Sequence, residues 1–180
     1  MFPSAALNDT DLRRRPNPYE KLIEKLAALE VFQRQLRECD TQERVIEITA
    51  DHVRRLVPFY QLGFWMVDPE RLEFVPGHCY PAAAARPLQE VVADEIGDGT
   101  FAWALQQTRA VLVNHQRTGQ TLFLNGLSTR SRTLGMFVGI IHPDEVRQLE
   151  HARELLSLIF LGVTYTLENF QLLAELKKQA

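Results

Sequence analysis

The sequence predicts an α+β domain, and three observations carry that prediction. Apolar residues recur at helical spacing near the start of the chain, and the middle changes to short apolar runs separated by turn residues. From His142 to Lys178 a single long helical pattern follows, with no proline after its first turn. The 180 residues, 46% of them hydrophobic, suffice for one core of ordinary size; a second independent domain would leave both undersized.

Residues 1–16 are polar and rich in turn formers, and read as a mobile N-terminal tail carrying the short basic run Arg13 to Arg15. Asn17-Pro18 supplies an N-cap followed by proline at the first helical position. Leu22, Leu26, Leu29 and Leu36 then mark an amphipathic helix to about Glu38, so 17–39 reads as a dimerisation helix. Asp40 with Glu43 is a capping signal, and a second helix runs to Leu56 with Val45, Ile48, His52 and Val53 on one face. Pro58 closes it.

Leu62 to Val67 is a strand of a covered sheet, and Asp68 to Arg71 turns the chain into a second arm at Leu72 to Val75. Pro81 to Pro87 reads as a loose loop. Leu88 to Ile96 and Thr100 to Gln107 are short helices divided by Gly97-Asp98-Gly99, and Ala110 to Val113 is a brief strand. Thr121 to Leu127 and Leu134 to Ile141 form a further hairpin.

The last helix opens at His142-Pro143-Asp144-Glu145, whose acids favour the macrodipole. Running to about Lys178, it would span roughly 54 Å, against a radius of gyration near ~16 Å for a chain of this length. It should overhang its own core. Leu149, Leu156, Val163 and Phe170 recur every seven residues, and Ala152, Ile159, Thr166 and Leu173 supply the second heptad position. Residues 40–165 are therefore the domain proper and 166–180 the end of an exit helix. The predicted dimer interface is Leu22, Leu26, Leu29, Leu149, Leu156, Ile159, Val163, Phe170 and Leu173.

The stretch Gly97-Asp98-Gly99-Thr100-Phe101-Ala102-Trp103-Ala104-Leu105, followed by Arg109-Ala110-Val111-Leu112-Val113-Asn114, resembles the mid-domain signature of the GAF family. Leu167-Glu168-Asn169-Phe170-Gln171-Leu172-Leu173 is similar to that family's "IENARLY" ending. The resemblance implies a central antiparallel sheet of about six strands, with helices of both chain ends on one face. Short helices, loops and any ligand pocket lie on the other. It also implies a sensory or regulatory role upstream of an output domain or protein.

Composition narrows the function classes. A net charge of -3 gives no field for nucleic acid or an anionic membrane. The longest nearly unbroken apolar run, Leu155 to Val163, is far below the ~20 residues of a bilayer span. A cytoplasmic protein is expected. Cys39 and Cys79 make no C-x-x-C pair, so no metal site is predicted. Free methionine sulfoxide reduction, known within the resembled family, needs clustered cysteines, and Cys79 has no evident partner for it. His78, beside Cys79 and Tyr80, falls where the resemblance puts a pocket rim, but neighbouring strand side chains point to opposite faces. Asp94, Glu95 and Asp98 read as acids favouring the dipole of the Thr100 helix, with Asp98 or Thr100 as its cap.

The candidate ligand-contacting residues are Trp65, Phe74, His78, Tyr80, Phe101, His115 and Phe123. The resemblance places Trp103 on a packed helix and so implies that it is core; Phe64 and Trp65 are read as facing opposite sides of the sheet. The predicted function is a non-catalytic, dimerising sensor whose ligand and cofactor the sequence does not identify. The alternatives are a small-molecule-modifying enzyme on the same fold and a ligand-free interaction module.

Overall fold

The computed structural model describes residues 17–180; the predicted tail and its arginine run lie outside them. Helix α1 (Pro18–Arg37) begins where Asn17 accepts the Tyr19 N–H at 3.0 Å. Helix α2 (Gln42–Leu56) is capped by Thr41, whose hydroxyl accepts the Arg44 N–H at 3.2 Å, one residue after the predicted cap Asp40.

Strands β1 (Gln61–Val67) and β2 (Phe74–Tyr80) form the first hairpin. Asp68 organises its turn by accepting the N–H groups of Glu70 and Arg71 at 2.8 and 3.0 Å. Strand β2 runs five residues beyond the predicted arm, because Pro76 is tolerated on an edge strand that needs no outer donor. The predicted Pro81 to Pro87 loop is instead a single helical turn, Ala82–Ala84, leading into α3 (Ala85–Gly97). Helix α4 (Thr100–Leu105) follows, entered through Gly99 at φ 87°, a left-handed conformation that glycine adopts without strain. Strands β3 (Val111–Asn114), β4 (Thr121–Ser128) and β5 (Thr133–Ile141) lead to helix α5 (Val146–Gln179).

The sheet order is β2-β1-β5-β4-β3, antiparallel throughout. It has five strands where about six were expected, since the chain between β2 and β3 is helical. β5 is the central strand and eight of its nine residues are buried. Two apolar layers flank the sheet. Helices α1, α2 and α5 cover one face, over Phe59, Phe64, Phe123 and Phe137. Helices α3 and α4 cover the other, over Trp65, Leu122, Met136 and Val138. Phe64 and Trp65 do face opposite ways. On the terminal-helix face, Phe137 lies 4.6–6.0 Å from the rings of Phe59, Phe64, Phe123 and Phe160. Gly139 makes room there: a Cβ at that position would meet the Phe59 ring at 2.5 Å.

Helix α5 runs unbroken for 34 residues, about 51 Å at 1.5 Å per residue. By length and composition alone it and its leading turn meet the measure of a membrane-crossing helix, at a mean hydropathy of 1.3 over 18 residues. Packing accounts for part of that character. Leu149, Leu156, Ile159, Phe160, Val163 and Leu167 are buried in the core of their own chain. The predicted interface is corrected accordingly: Leu149, Leu156, Ile159 and Val163 have no surface left for a second subunit. Leu29 and Phe170 are half-buried against the same core, whereas Leu22, Leu26 and Leu173 are exposed.

Another stripe of α5, without a partner among the described residues, lies on the opposite side. Leu158, Tyr165 and Leu172 recur every seven residues, joined by Leu161 and Leu176, and all are exposed. Tyr19, Leu22, Ile23 and Leu26 on α1 are exposed as well.

Candidate functional site

The space under α3 and α4, where a ligand pocket was expected, is packed with the chain's own side chains. Trp65 and Phe101 are buried there, and the Phe74 ring meets Phe101 edge-on at 5.3 Å and 87°. Phe123, a candidate pocket residue, points away from this side into the terminal-helix layer. Trp103, expected in the core, is 47% exposed. The reason is helical phase. In a helix of six residues Phe101 and Ala104, three apart, take the buried side, and the residue between them at 103 is turned out.

His78 and Tyr80 lie on the edge strand β2. The Arg54 guanidinium sits 3.6 Å from the centre of the Tyr80 ring, so Tyr80 serves as a platform for α2. Cys79 packs on the α3–α4 side, and Cys39 on the terminal-helix side, where its thiol donates to the Gln35 carbonyl at 3.2 Å. Burial raises the pKa of both thiols, which lowers the thiolate fraction that nucleophilic or redox chemistry requires.

The polar centre of the molecule joins residues that the sequence keeps apart. Asp94 and Glu95 near the end of α3 meet His115, which follows β3 and is 2% exposed. His115 Nε2 lies 3.0 Å from Asp94 Oδ2, and its Nδ1 lies 3.3 Å from the backbone nitrogen of Thr118. Thr118 Oγ1 lies 2.7 Å from Nδ1 and donates to Gln120 Oε1 at 2.9 Å. Arg117 Nε donates to the same Asp94 oxygen at 2.8 Å. The bonds from Arg117 and His115 hold the Asp94 carboxyl below its ordinary range.

Glu95, 3% exposed, goes the other way: burial pushes its carboxyl up, against the opposing hydrogen bond of Thr100. Asp98 accepts the Thr100 N–H at 2.9 Å and is lowered by Thr100, although the N-cap position of α4 belongs to Gly99 and not to either predicted cap.

Thr118, His115 and Asp94 form a hydroxyl–imidazole–carboxylate chain of the kind that activates a nucleophile. The hydroxyl is already engaged by Gln120, and none of the three lines the cleft between α1 and α2 or the cleft beside α5. The arrangement braces the end of α3 to the turn before β4. No local signal reveals it, because His115 and Asp94 are 21 positions apart.

Two clefts lie elsewhere. One, of about 430 Å³, opens between α1 and α2 beside Cys39, Arg44, His52 and Arg55. The His52 ring stacks on Phe32 at 4.7 Å; its Nε2 is buried without a hydrogen-bond partner, and burial lowers its pKa. The other, of about 300 Å³, lies where the α4–β3 connection faces α5, beside Leu105, Arg109, Asn125 and Leu161. Neither includes a predicted ligand-contacting residue. Among the described residues, no group of three or more histidine, cysteine or acidic side chains is placed to hold a metal.

No family model matches the sequence, and no curated protein matches it either. Solved structures do. The N-acylhomoserine lactone-dependent LuxR family transcription factor CepR2 from Burkholderia cenocepacia is similar at a TM-score of 0.60 and 15% identity, over 81% of this chain and 97% of that one. The GAF domain of a phosphoenolpyruvate-protein phosphotransferase from Coxiella burnetii is similar at 0.58 and 7% identity, over 85% and 98%. A GAF domain/HD domain protein from Geobacter sulfurreducens is similar at 0.51 and 16% identity, over 69% and 93%. With the central antiparallel sheet, the terminal helices on one face and the short helices on the other, the fold of this chain is GAF-like.

Proposed function

We propose that the chain is a non-catalytic regulatory module of the cytoplasm that forms a homodimer through its terminal helices and passes a signal along α5 to an output partner or domain. The observation that carries this reading is the exposed apolar line Leu158, Leu161, Tyr165, Leu172 and Leu176, opposite the face of α5 that packs on the sheet. Contiguous apolar surface of this kind marks an interaction site. Its seven-residue recurrence suits a second helix of the same kind.

The packed space under α3 and α4 favours a module whose input is a protein contact. A small-molecule sensor is the second reading, supported by the similarity to CepR2, a transcription factor dependent on N-acylhomoserine lactone. In that case the ligand must displace Trp65 or Phe101 from its packing, because both now occupy the site.

Sedimentation at tens of micromolar tests the dimer. The wild-type chain should sediment as a dimer, and the double substitution Leu161→Glu with Tyr165→Glu should give a folded monomer. A wild-type monomer at that concentration defeats the proposal. Native mass spectrometry of protein purified from its host separates the two inputs, since a retained small molecule adds its mass to the dimer.

A further inference from the structure

The β4–β5 turn makes the one polar clamp on the far half of α5 among the described residues. Thr129 and Ser131 both donate hydroxyl hydrogen bonds to Glu168 Oε1, at 2.7 and 2.8 Å. Arg132 extends the grip, with Nε 3.9 Å from Glu168 and Nη1 2.8 Å from Glu175 Oε1. The turn is organised to present these groups: Thr129 N–H donates to the Arg132 carbonyl at 2.9 Å, and Thr129 Oγ1 accepts the N–H groups of Ser131 and Arg132 at 3.4 Å.

Leu167 is the last fully buried residue of α5, and from Leu172 onward every residue is exposed. A helical segment of that length, without packing, is marginal in water. Phe170, packed against the core just before it, and this clamp anchor it to the domain.

We infer that the β4–β5 turn is a conformational latch, in which Thr129, Ser131 and Arg132 hold the output end of α5 through Glu168 and Glu175. The position of the latch gives it regulatory reach. Leu161, Glu168 and Glu175 are spaced by seven residues, so they form one line along α5, adjacent to the exposed line of Leu158, Tyr165 and Leu172. The two strands that the turn connects carry Leu122, Leu124, Met136 and Val138 into the α3–α4 layer. A shift of that layer moves the turn, and the turn holds the helix. Its signalling consequence rests on the regulatory reading above; the latch itself does not.

Hydrogen exchange of the full chain, read by mass spectrometry, tests it. Glu168→Ala should speed exchange of the amides from Gln171 to Lys178 by roughly tenfold or more, as loss of charge-assisted bonds in a locally opening segment predicts. Protection of β5 should stay at the wild-type level. The pair Thr129→Ala with Ser131→Ala, which leaves α5 untouched, should act in the same place and direction. Unchanged exchange at the end of α5 in both variants overturns the latch, as does a uniform rise that includes β5. A monomeric wild-type chain sinks the dimer proposal but leaves this measurement readable.

Discussion

The two faces of the sheet are built on different rules. Toward α1, α2 and α5 the packing is a dry aromatic mesh centred on Phe137, which touches four other phenylalanines. Toward α3 and α4 the layer is mostly aliphatic around Trp65 and Phe101, and the short helices over it are tied down by the His115–Asp94 brace. The difference teaches where the fold gets its stability and where it can move. A jigsaw of rings resists displacement, whereas short helices that are packed on aliphatic side chains and braced by a few hydrogen bonds can be loosened by changing one of those bonds.

The largest effect is expected from Phe137→Ala, which should cost about 3–5 kcal/mol in urea denaturation at fixed protein concentration. A loss below about 1 kcal/mol would mean that the mesh is not the main core. Next comes His115→Ala. It strips partners from the Thr118 N–H and from Asp94, and a cost of about 1–3 kcal/mol is expected. Loss of protection confined to α3 would sharpen the comparison, and loss spread over both faces would break it.

The acids of the brace predict opposite pH dependences. The folded-state pKa of Asp94 lies below its unfolded value, so its contribution is present above the unfolded pKa and is lost as pH falls through the folded one. Glu95 is raised, so it penalises the fold increasingly as pH rises from its unfolded pKa through its folded pKa. Melting curves should therefore show Glu95→Gln stabilising the protein near pH 8 and losing that advantage near pH 4. Trp103→Ala, on the outer side of α4, should change stability by no more than about 0.5 kcal/mol; a larger loss in the same denaturation assay would mean that the ring is covered in the working assembly.

Local order was largely legible in the sequence. Asn17-Pro18 marks the start of α1, the apolar runs mark the hairpins, and the proline-free stretch after Pro143 predicts the full length of α5. What periodicity cannot give is which of two apolar stripes on one helix meets the sheet. On α5 both lines repeat every seven residues, and Leu149, Leu156 and Val163 took the core while Leu158, Tyr165 and Leu172 did not. Trp103 was misplaced differently: the resemblance put it on a packed helix, and the phase of α4 turns it outward. The brace and the latch escaped for another reason. Each joins polar residues that are distant in sequence, Asp94 with His115 and Thr129 with Glu168, and only the packing of α3 and α5 against the sheet brings them together.

The strand order has a consequence for synthesis. β5 is the middle of the sheet yet its last strand to be made, and it pairs Gln61 with Ile140. At about 5–20 residues per second, roughly 4–16 s pass on the ribosome between the two. Through that interval the β1–β2 hairpin carries Phe64 and Trp65 with one bare edge, an invitation to association with other nascent chains. A chain cut short before Ile141 is thus not a smaller domain but half a sheet without its keystone.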